Sequence, residues 1–144
     1  MKAYLGIDYG LARIGLAISE TGQIARPLVT IKNKGDGKNI AAIREIIVKQ
    51  FSIDFTTGGG SLSDRLPHIV CGLPLLADGA ESDMAREVRR FGGKLGLELC
   101  AEVIYQDEYL SSVEAEEYIR ENKLKNTVDE VAASIILQSY IDGK

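Results

Sequence analysis

The sequence predicts an α/β fold: a mixed five-stranded sheet with helices on both faces. Three short apolar segments follow one another near the start and are separated by turn-like residues, a pattern typical of antiparallel hairpins. Two further apolar segments then alternate with helical patterns, so these strands should join the sheet in parallel through helical crossovers. The 144 residues fit a single domain covering residues 1–144.

The element boundaries follow from the spacing of apolar residues and turn residues. Strands are predicted at residues 3–9, 13–19, 26–31, 68–72 and 97–105. Helices are predicted at residues 38–51, 81–95, 112–121 and 128–141, and the first two carry a clear apolar stripe. Residues 55–66, rich in glycine and serine, are expected to form a flexible insertion at the surface.

Composition excludes several classes of protein. Apolar residues make up 45% and charged residues 26% of the chain, and the mean hydropathy is −0.01, as in ordinary globular proteins. No apolar run approaches the roughly 20 residues of a membrane span, and Asp8 interrupts any signal-peptide core. Cys71 and Cys100 lack the spacing of a redox motif or zinc site. Reduced thiols and a cytoplasmic location are therefore expected.

Charge is distributed unevenly along the chain, although the net charge is only −4. Residues 26–49 contain six basic and two acidic residues, and residues 86–94 contain four basic and one acidic. Residues 98–130 contain ten acidic and three basic residues. Solvated helix faces would explain this pattern, and so would two basic segments that bind backbone phosphates.

Asp8 is the first candidate for a functional side chain. It ends the apolar strand that begins at Tyr4, where a carboxylate is desolvated and needs a cation or N–H donors to stay ionised. Gly10, two residues later, lets the backbone turn and another group approach closely. The structural alternative is that Asp8 caps the first hairpin turn.

Asp107 and Glu108 lie in a comparable place, directly after the apolar run at residues 103–105. Adjacent residues of a strand point to opposite faces, so only one of these carboxylates can share a site with Asp8. The alternative is a solvated strand end without function.

Asp129 begins the last predicted helix and shares a helical face with Ala132 and Ala133. These small side chains would let the helix approach the sheet and turn Asp129 towards the strand ends. A capping box from Thr127 to Glu130 is the alternative, because the helix dipole favours an acid in this turn.

Three carboxylates that converge at one place repel one another, and divalent cations relieve this repulsion. Oxygen ligands suit Mg²⁺ or Mn²⁺, and two such ions about 3.5–4 Å apart form an arrangement that cleaves phosphodiesters. The sequence contains no GxSxG elbow, P-loop or Cys–His pair that would favour other chemistry. His68, the only histidine, is expected to pack or be solvated rather than to act.

Taken together, four blocks of sequence resemble the YqgF (RuvX) family, and in this order they cover most of the chain outside residues 32–66. The blocks are Gly6-Ile-Asp8-Tyr-Gly10-Leu-Ala-Arg13-Ile-Gly15, Gly72-Leu-Pro74-Leu-Leu-Ala-Asp78-Gly79, Asp107-Glu108-Tyr-Leu-Ser-Ser-Val-Glu114 and Val128-Asp129-Glu-Val-Ala132-Ala133. The resemblance implies an RNase H-like (RuvC-like) fold and a metal-dependent nuclease.

The resemblance also implies roles for individual residues. It places the catalytic and metal-binding carboxylates at Asp8, Glu108 and Asp129, with Asp107 as a further possible ligand. It places substrate-binding residues at Arg13, Gly10, Gly72 and Pro74. The implied cofactor is Mg²⁺ or Mn²⁺, and the implied substrate is structured RNA, such as the 5′ end of precursor 16S ribosomal RNA, bound by a monomer or homodimer.

The chain departs from the family pattern in three places, one of which is the conservative change to Leu110-Ser111-Ser112. Tyr109 stands where the family usually has arginine after Asp-Glu, which removes a cation expected near the scissile phosphate. Residues 55–66 look like an insertion relative to the family and could form a substrate-contacting loop.

Three alternative functions stay open at this point. A Holliday junction resolvase acting on DNA would need a dimer that places two sites on opposing strands. A non-catalytic RNA-binding or assembly factor would retain the fold without cleavage. Nucleotide binding in the manner of actin-like sugar kinases would require a second domain, which 144 residues do not supply.

Overall fold

The computed structural model describes residues 2–53, 65–76, 78–108, 120 and 128–144. Within these ranges five strands and three helices form the fold. The strands are β1 (Tyr4–Tyr9), β2 (Arg13–Ser19), β3 (Arg26–Lys32), β4 (His68–Pro74) and β5 (Val103–Glu108). The helices are α1 (Asp36–Phe51), α2 (Asp83–Leu99) and α3 (Val128–Asp142).

The five strands form one mixed sheet in the order β3-β2-β1-β4-β5. β2 pairs antiparallel with both β1 and β3, whereas β4 pairs in parallel with β1 and with β5. This topology confirms the predicted mixed five-stranded sheet. The parallel strands β1, β4 and β5 end at the same edge, where sites gather in sheets of this kind.

Helices cover both faces of the sheet, as predicted. Along β1, Leu5 and Ile7 point into a core cluster formed with α1 and α2, in which Tyr9 stacks on Phe91 at 4.7 Å between ring centroids. Alternate residues point to the other face, where Tyr4 joins a smaller cluster with α3. Asp8 has the same alternation as Tyr4, so its side chain lies on the α3 face.

The predicted strand at residues 97–105 is wrong in its first half. Residues 97–99 are the last residues of α2, which ends at Cys100 in the left-handed conformation, and β5 begins only at Val103. The helix continues because Leu99 lies one turn beyond Leu95 on the buried stripe, while Leu97 points to solvent. The other described elements lie within four residues of their predicted bounds.

Two predicted segments fall on parts of the chain that the structure does not describe. The helix at residues 112–121 is described only at residue 120, and the insertion at residues 55–66 only at residues 65 and 66. Both therefore stay predictions.

The edge strand β3 is irregular. Leu16 of β2 pairs with Val29, but Ala17 pairs with Pro27, so Leu28 is an extra residue that forms a bulge. Pro27 itself has no N–H group to donate. The bulge and the missing N–H group therefore make β3 an irregular edge strand.

Three glycines on the α3 face let this helix approach the sheet closely. A Cβ atom at Gly6 would lie 2.8 Å from Leu137 Cβ, and one at Gly72 would lie 2.7 Å from Ile136 Cδ1. The closest approach is at Gly15, where a Cβ would lie 2.0 Å from the carbonyl oxygen of Asp129. The first turn of α3 thus rests directly on the backbone of β2.

The described helices include no candidate membrane span, and the two cysteines form no disulfide. None of the described helices has the length and apolar character needed to cross a membrane. Cys71 is buried and Cys100 is exposed, and both are free thiols. Burial raises the pKa of the Cys71 thiol to about 12, so this group is neutral.

We expect Gly15→Ala to destabilise the protein by roughly 1–3 kcal/mol or more, because the methyl group would push α3 off β2. Urea denaturation measures this loss. The matched control is Gly93→Ala on α2, where a Cβ meets nothing within 4 Å and the helix gains about 0.5–1 kcal/mol. Equal stability of the two variants would contradict the close contact.

Candidate active site

Asp8, Glu108 and Asp129 come together on the α3 face, at the edge where the parallel strands end. Asp8 pairs in the β ladder with Gly15, and the backbone of Asp129 lies directly over Gly15. Glu108, the last residue of β5, pairs with Pro74 at the end of β4. The topology therefore places two strand ends and one helix start at the same edge of the sheet.

Asp8 is partly buried, and its carboxyl group is hard to ionise. Burial, followed by the negative charge of Asp129, raises the pKa of Asp8 to about 6. Among the residues that the structure describes, no hydrogen bond ties this carboxylate to the turn at residues 10–12. Position and electrostatics therefore favour a functional carboxylate over a turn cap.

Glu108 shares this environment. Burial, followed by the negative charge of Asp8, raises the pKa of Glu108 to about 7. Its Oε2 atom lies 2.9 Å from the place that a Cβ at position 72 would occupy. Gly72 thus provides the space in which the Glu108 carboxylate lies, which is a physical reason for glycine at this position.

Asp129 is held by Arg13 from the start of β2. The Arg13 Nε donates a hydrogen bond to Asp129 Oδ2 at 2.7 Å, and the side chains are 62% and 23% exposed. Arg13 therefore contacts the site through Asp129, with most of its guanidinium still open to solvent. Thr127, the predicted cap of this helix, and Tyr109 lie outside the described residues.

Asp107 points away from these three carboxylates. It is exposed, and it alternates with Glu108 so that it lies on the α1–α2 side of the sheet. Its charge acts on Arg89 of α2, whose pKa is raised chiefly by a hydrogen bond to Glu81. The structure thus brings Glu108, and not Asp107, to Asp8.

Gly10 and Pro74 are both held through their backbone carbonyl groups. The carbonyl oxygen of Gly10 accepts a hydrogen bond from Asn33 Nδ2 at 2.8 Å, and that of Pro74 accepts one from Ser82 Oγ at 2.8 Å. Ser82 Oγ also accepts from the Ala85 N–H as the N-cap of α2. Both segments at the site edge are therefore fixed to the neighbouring structure.

Asn33 is a positioning residue that the sequence analysis missed. Besides holding Gly10, its backbone N–H donates to the Ala12 carbonyl at 3.0 Å, and its Oδ1 accepts from Asn39 Nδ2 at 2.8 Å. These bonds fix the turn between β1 and β2, and Arg13 is the first residue after this turn. A single asparagine 23 residues from its partner leaves no local pattern, so no sequence signal would have found it.

The donor chemistry fits a hard divalent cation, since carboxylate oxygens are the ligands that Mg²⁺ and Mn²⁺ prefer. In the described part of the chain, no three His, Cys, Asp or Glu side chains lie close enough to hold one metal ion. The electrostatic contacts are pairwise instead, with Asp8 acting on Glu108 and Asp129 acting on Asp8. Asp8 is the shared member of both pairs.

His68 lies away from this site, at the start of β4 and hence at the opposite edge of the sheet. Its ring lies 5.5 Å from that of Tyr4, and its Nδ1 is 3.4 Å from Glu102 Oε2. The expectation that it packs is confirmed.

The sequence is similar to proteins of one family. A family model described as "RuvX: Holliday junction resolvase" matches residues 2–143. A protein of Caldanaerobacter subterraneus named "Putative pre-16S rRNA nuclease" is 35% identical, over 97% of this chain and 96% of its own. A protein of Endomicrobium trichonymphae with the same name is 38% identical, over 99% of this chain and 96% of its own.

Solved structures of Thermus thermophilus RuvC share the fold. RuvC in complex with a Holliday junction substrate superposes with a TM-score of 0.58 at 14% identity, covering 99% of this chain and 97% of that one. This likeness confirms the RNase H-like fold that the sequence resemblance implied. With the family model matching nearly the whole chain and relatives above 30% identity, this protein belongs to the RuvX (YqgF) family.

Proposed function

We propose that this chain is a metal-dependent endonuclease that hydrolyses phosphodiester bonds in structured RNA, processing the 5′ end of precursor 16S ribosomal RNA. The observation that carries this proposal is that Asp8 lies near Glu108 and near Asp129 at the end of the parallel strands. The names of the relatives supply the substrate. Such a role fits the cytoplasm.

The carboxylates would hold the metal ions in two pairs. Asp8 would bind between the two positions, with Glu108 completing one and Asp129 the other. Bound Mg²⁺ or Mn²⁺ would supply an activated water and stabilise the leaving oxygen. The raised pKa values of Asp8 and Glu108 reflect repulsion and burial that cations would relieve.

The remaining residues would position the substrate. Arg13 already orients Asp129, and its exposed guanidinium can contact a phosphate. Gly72 leaves room for Glu108, while Gly10 and Pro74 shape the rim through their fixed backbones.

We expect Asp8→Asn to lower the cleavage rate by on the order of 10³-fold or more, because it removes the shared metal ligand. The measurement is single-turnover cleavage of a precursor 16S RNA fragment with Mg²⁺. Circular dichroism should show an unchanged fold.

The matched control is Asp107→Asn, the same chemical change one residue from Glu108 but on the opposite face of the sheet. This variant should cleave like the wild type. If Asp107→Asn is as inactive as Asp8→Asn, the assignment of Glu108 as the ligand from β5 is wrong.

Asp8→Asn should also stabilise the metal-free protein at pH 8. The pKa of Asp8 is about 6 in the folded protein against an ordinary 3.8, so the folded state binds this proton more tightly than the unfolded chain. Ionisation as the pH rises through this window therefore lowers the free energy of unfolding. The variant should gain up to on the order of 3 kcal/mol at pH 8 and nothing below about pH 4.

Adding Mn²⁺ at pH 8 should change the relative stability of the two proteins in the opposite direction. It should raise the Tm of the wild type by binding the folded state only, and it should leave the Tm of Asp8→Asn nearly unchanged. A metal-induced shift of the same size in both proteins would contradict a metal site at Asp8.

Junction resolution on DNA is a second candidate, favoured by the description of the family as a Holliday junction resolvase and by the RuvC fold. It requires two copies that place their sites on opposing strands. Light scattering together with cleavage of a four-way junction and of precursor RNA separates the two functions. We expect cleavage of RNA; a dimer that cuts only the junction would favour the second candidate, and metal binding without any cleavage would favour an assembly factor.

A further inference from the structure

A basic groove lies between the end of β3 and α1. It has a volume of about 550 Å³ and is lined by Ile31, Lys32, Lys34, Lys38, Asn39 and neighbouring residues of α1. Ala41 and Ala42, two small side chains of α1, form part of its wall. Glu45, the acid at its far end, lies 3.9 Å from Lys49 in an ion pair.

The lysines of this groove differ from the ion-paired cations of the fold. Within the described ranges, Lys32, Lys34 and Lys38 form no ion pair with an acid. Elsewhere in the basic segment of residues 26–49, Arg26 binds Glu20. The positive charge of the groove is therefore uncompensated.

The second basic segment, residues 86–94, is neutralised within the fold. Arg86 pairs with Asp83, Arg89 with Glu81, and both Arg90 and Lys94 contact Asp36 at the start of α1. Arg90 and Lys94 thereby link α2 to α1, and each of the four cations has an acidic partner. Of the two basic segments in the sequence, the first therefore has positive charge that is available to bind an anionic ligand.

Pairing between β2 and β3, together with hydrogen bonds of Asn33, connects the groove to the candidate active site. Lys32 is the ladder partner of Arg13, and directly opposed residues have Cβ atoms about 4.5–5.5 Å apart. Asn33, the next residue, holds the turn before Arg13 through Gly10 and Ala12. A line of cations thus leads from the Asp129 partner, Arg13, over Lys32 to Lys34 and Lys38.

We propose that this groove binds the sugar–phosphate backbone of a single-stranded RNA segment that leaves the active site past Arg13. The proposal rests on the proposed nuclease function and adds the path of the substrate. Lysine ammonium groups contact phosphates without reading bases, so the groove would set the affinity and register of the strand.

The test is the double variant Lys34→Gln, Lys38→Gln, with Arg86→Gln, Lys94→Gln as the matched control that also loses two positive charges. Binding of a fluorescein-labelled single-stranded oligoribonucleotide is followed by anisotropy in EDTA over a range of salt concentrations. The groove variant should bind about tenfold more weakly. The steepness of the plot of log affinity against log salt concentration should fall by about 1.4, because each of the two lost phosphate contacts contributes about 0.7. The control should bind like the wild type.

Cleavage of the same RNA with Mg²⁺ separates failure of this proposal from failure of the proposed function. The groove variant should show a raised KM and an unchanged kcat. If it binds like the wild type, or if the control weakens binding equally, the groove is not the path of the strand, even where Asp8→Asn still abolishes cleavage. If the wild type neither binds nor cleaves RNA, both proposals are overturned.

Discussion

The close seating of α3 on the sheet is the constraint on which the candidate site depends. Gly6, Gly15 and Gly72 belong to three neighbouring strands and present backbone, not side chain, to this helix. At Gly15 even a methyl group would collide with the carbonyl oxygen of Asp129. Since Gly15 is also the ladder partner of Asp8, the contact that packs the helix is the same contact that brings the two acids together.

The site that results is electrostatically unfavourable, and the rest of the fold must compensate for it. Asp8 and Glu108 are buried enough that each resists ionisation, and each is near another acid. Arg13 offsets part of this charge at Asp129, and the Arg13 side chain is still largely exposed to water. The cores on both faces, built from side chains such as Ile7, Phe91 and Leu137, provide the stability that allows this concentration of like charge.

Sequence patterns predicted most of the described fold, because strand alternation and helical stripes are local. They failed at residues 97–99, where a short apolar run is compatible with either state and only the burial of Leu99 decides it. The alternation rule also foresaw that Asp107 and Glu108 would diverge, but not which one would face Asp8. The role of Asn33 and the difference between the two basic segments depend on contacts between distant residues, which leave no trace in spacing.

The irregular edge strand β3 affects how two copies of this chain can contact each other. An open strand edge invites another strand to add to it, and proteins block this with proline, bulges and charge. β3 has all three, in Pro27, the bulge at Leu28 and the terminal Arg26 and Lys32. Continuous sheets across two molecules are thereby disfavoured at this edge, which also protects the newly made polypeptide from fibril-like aggregation.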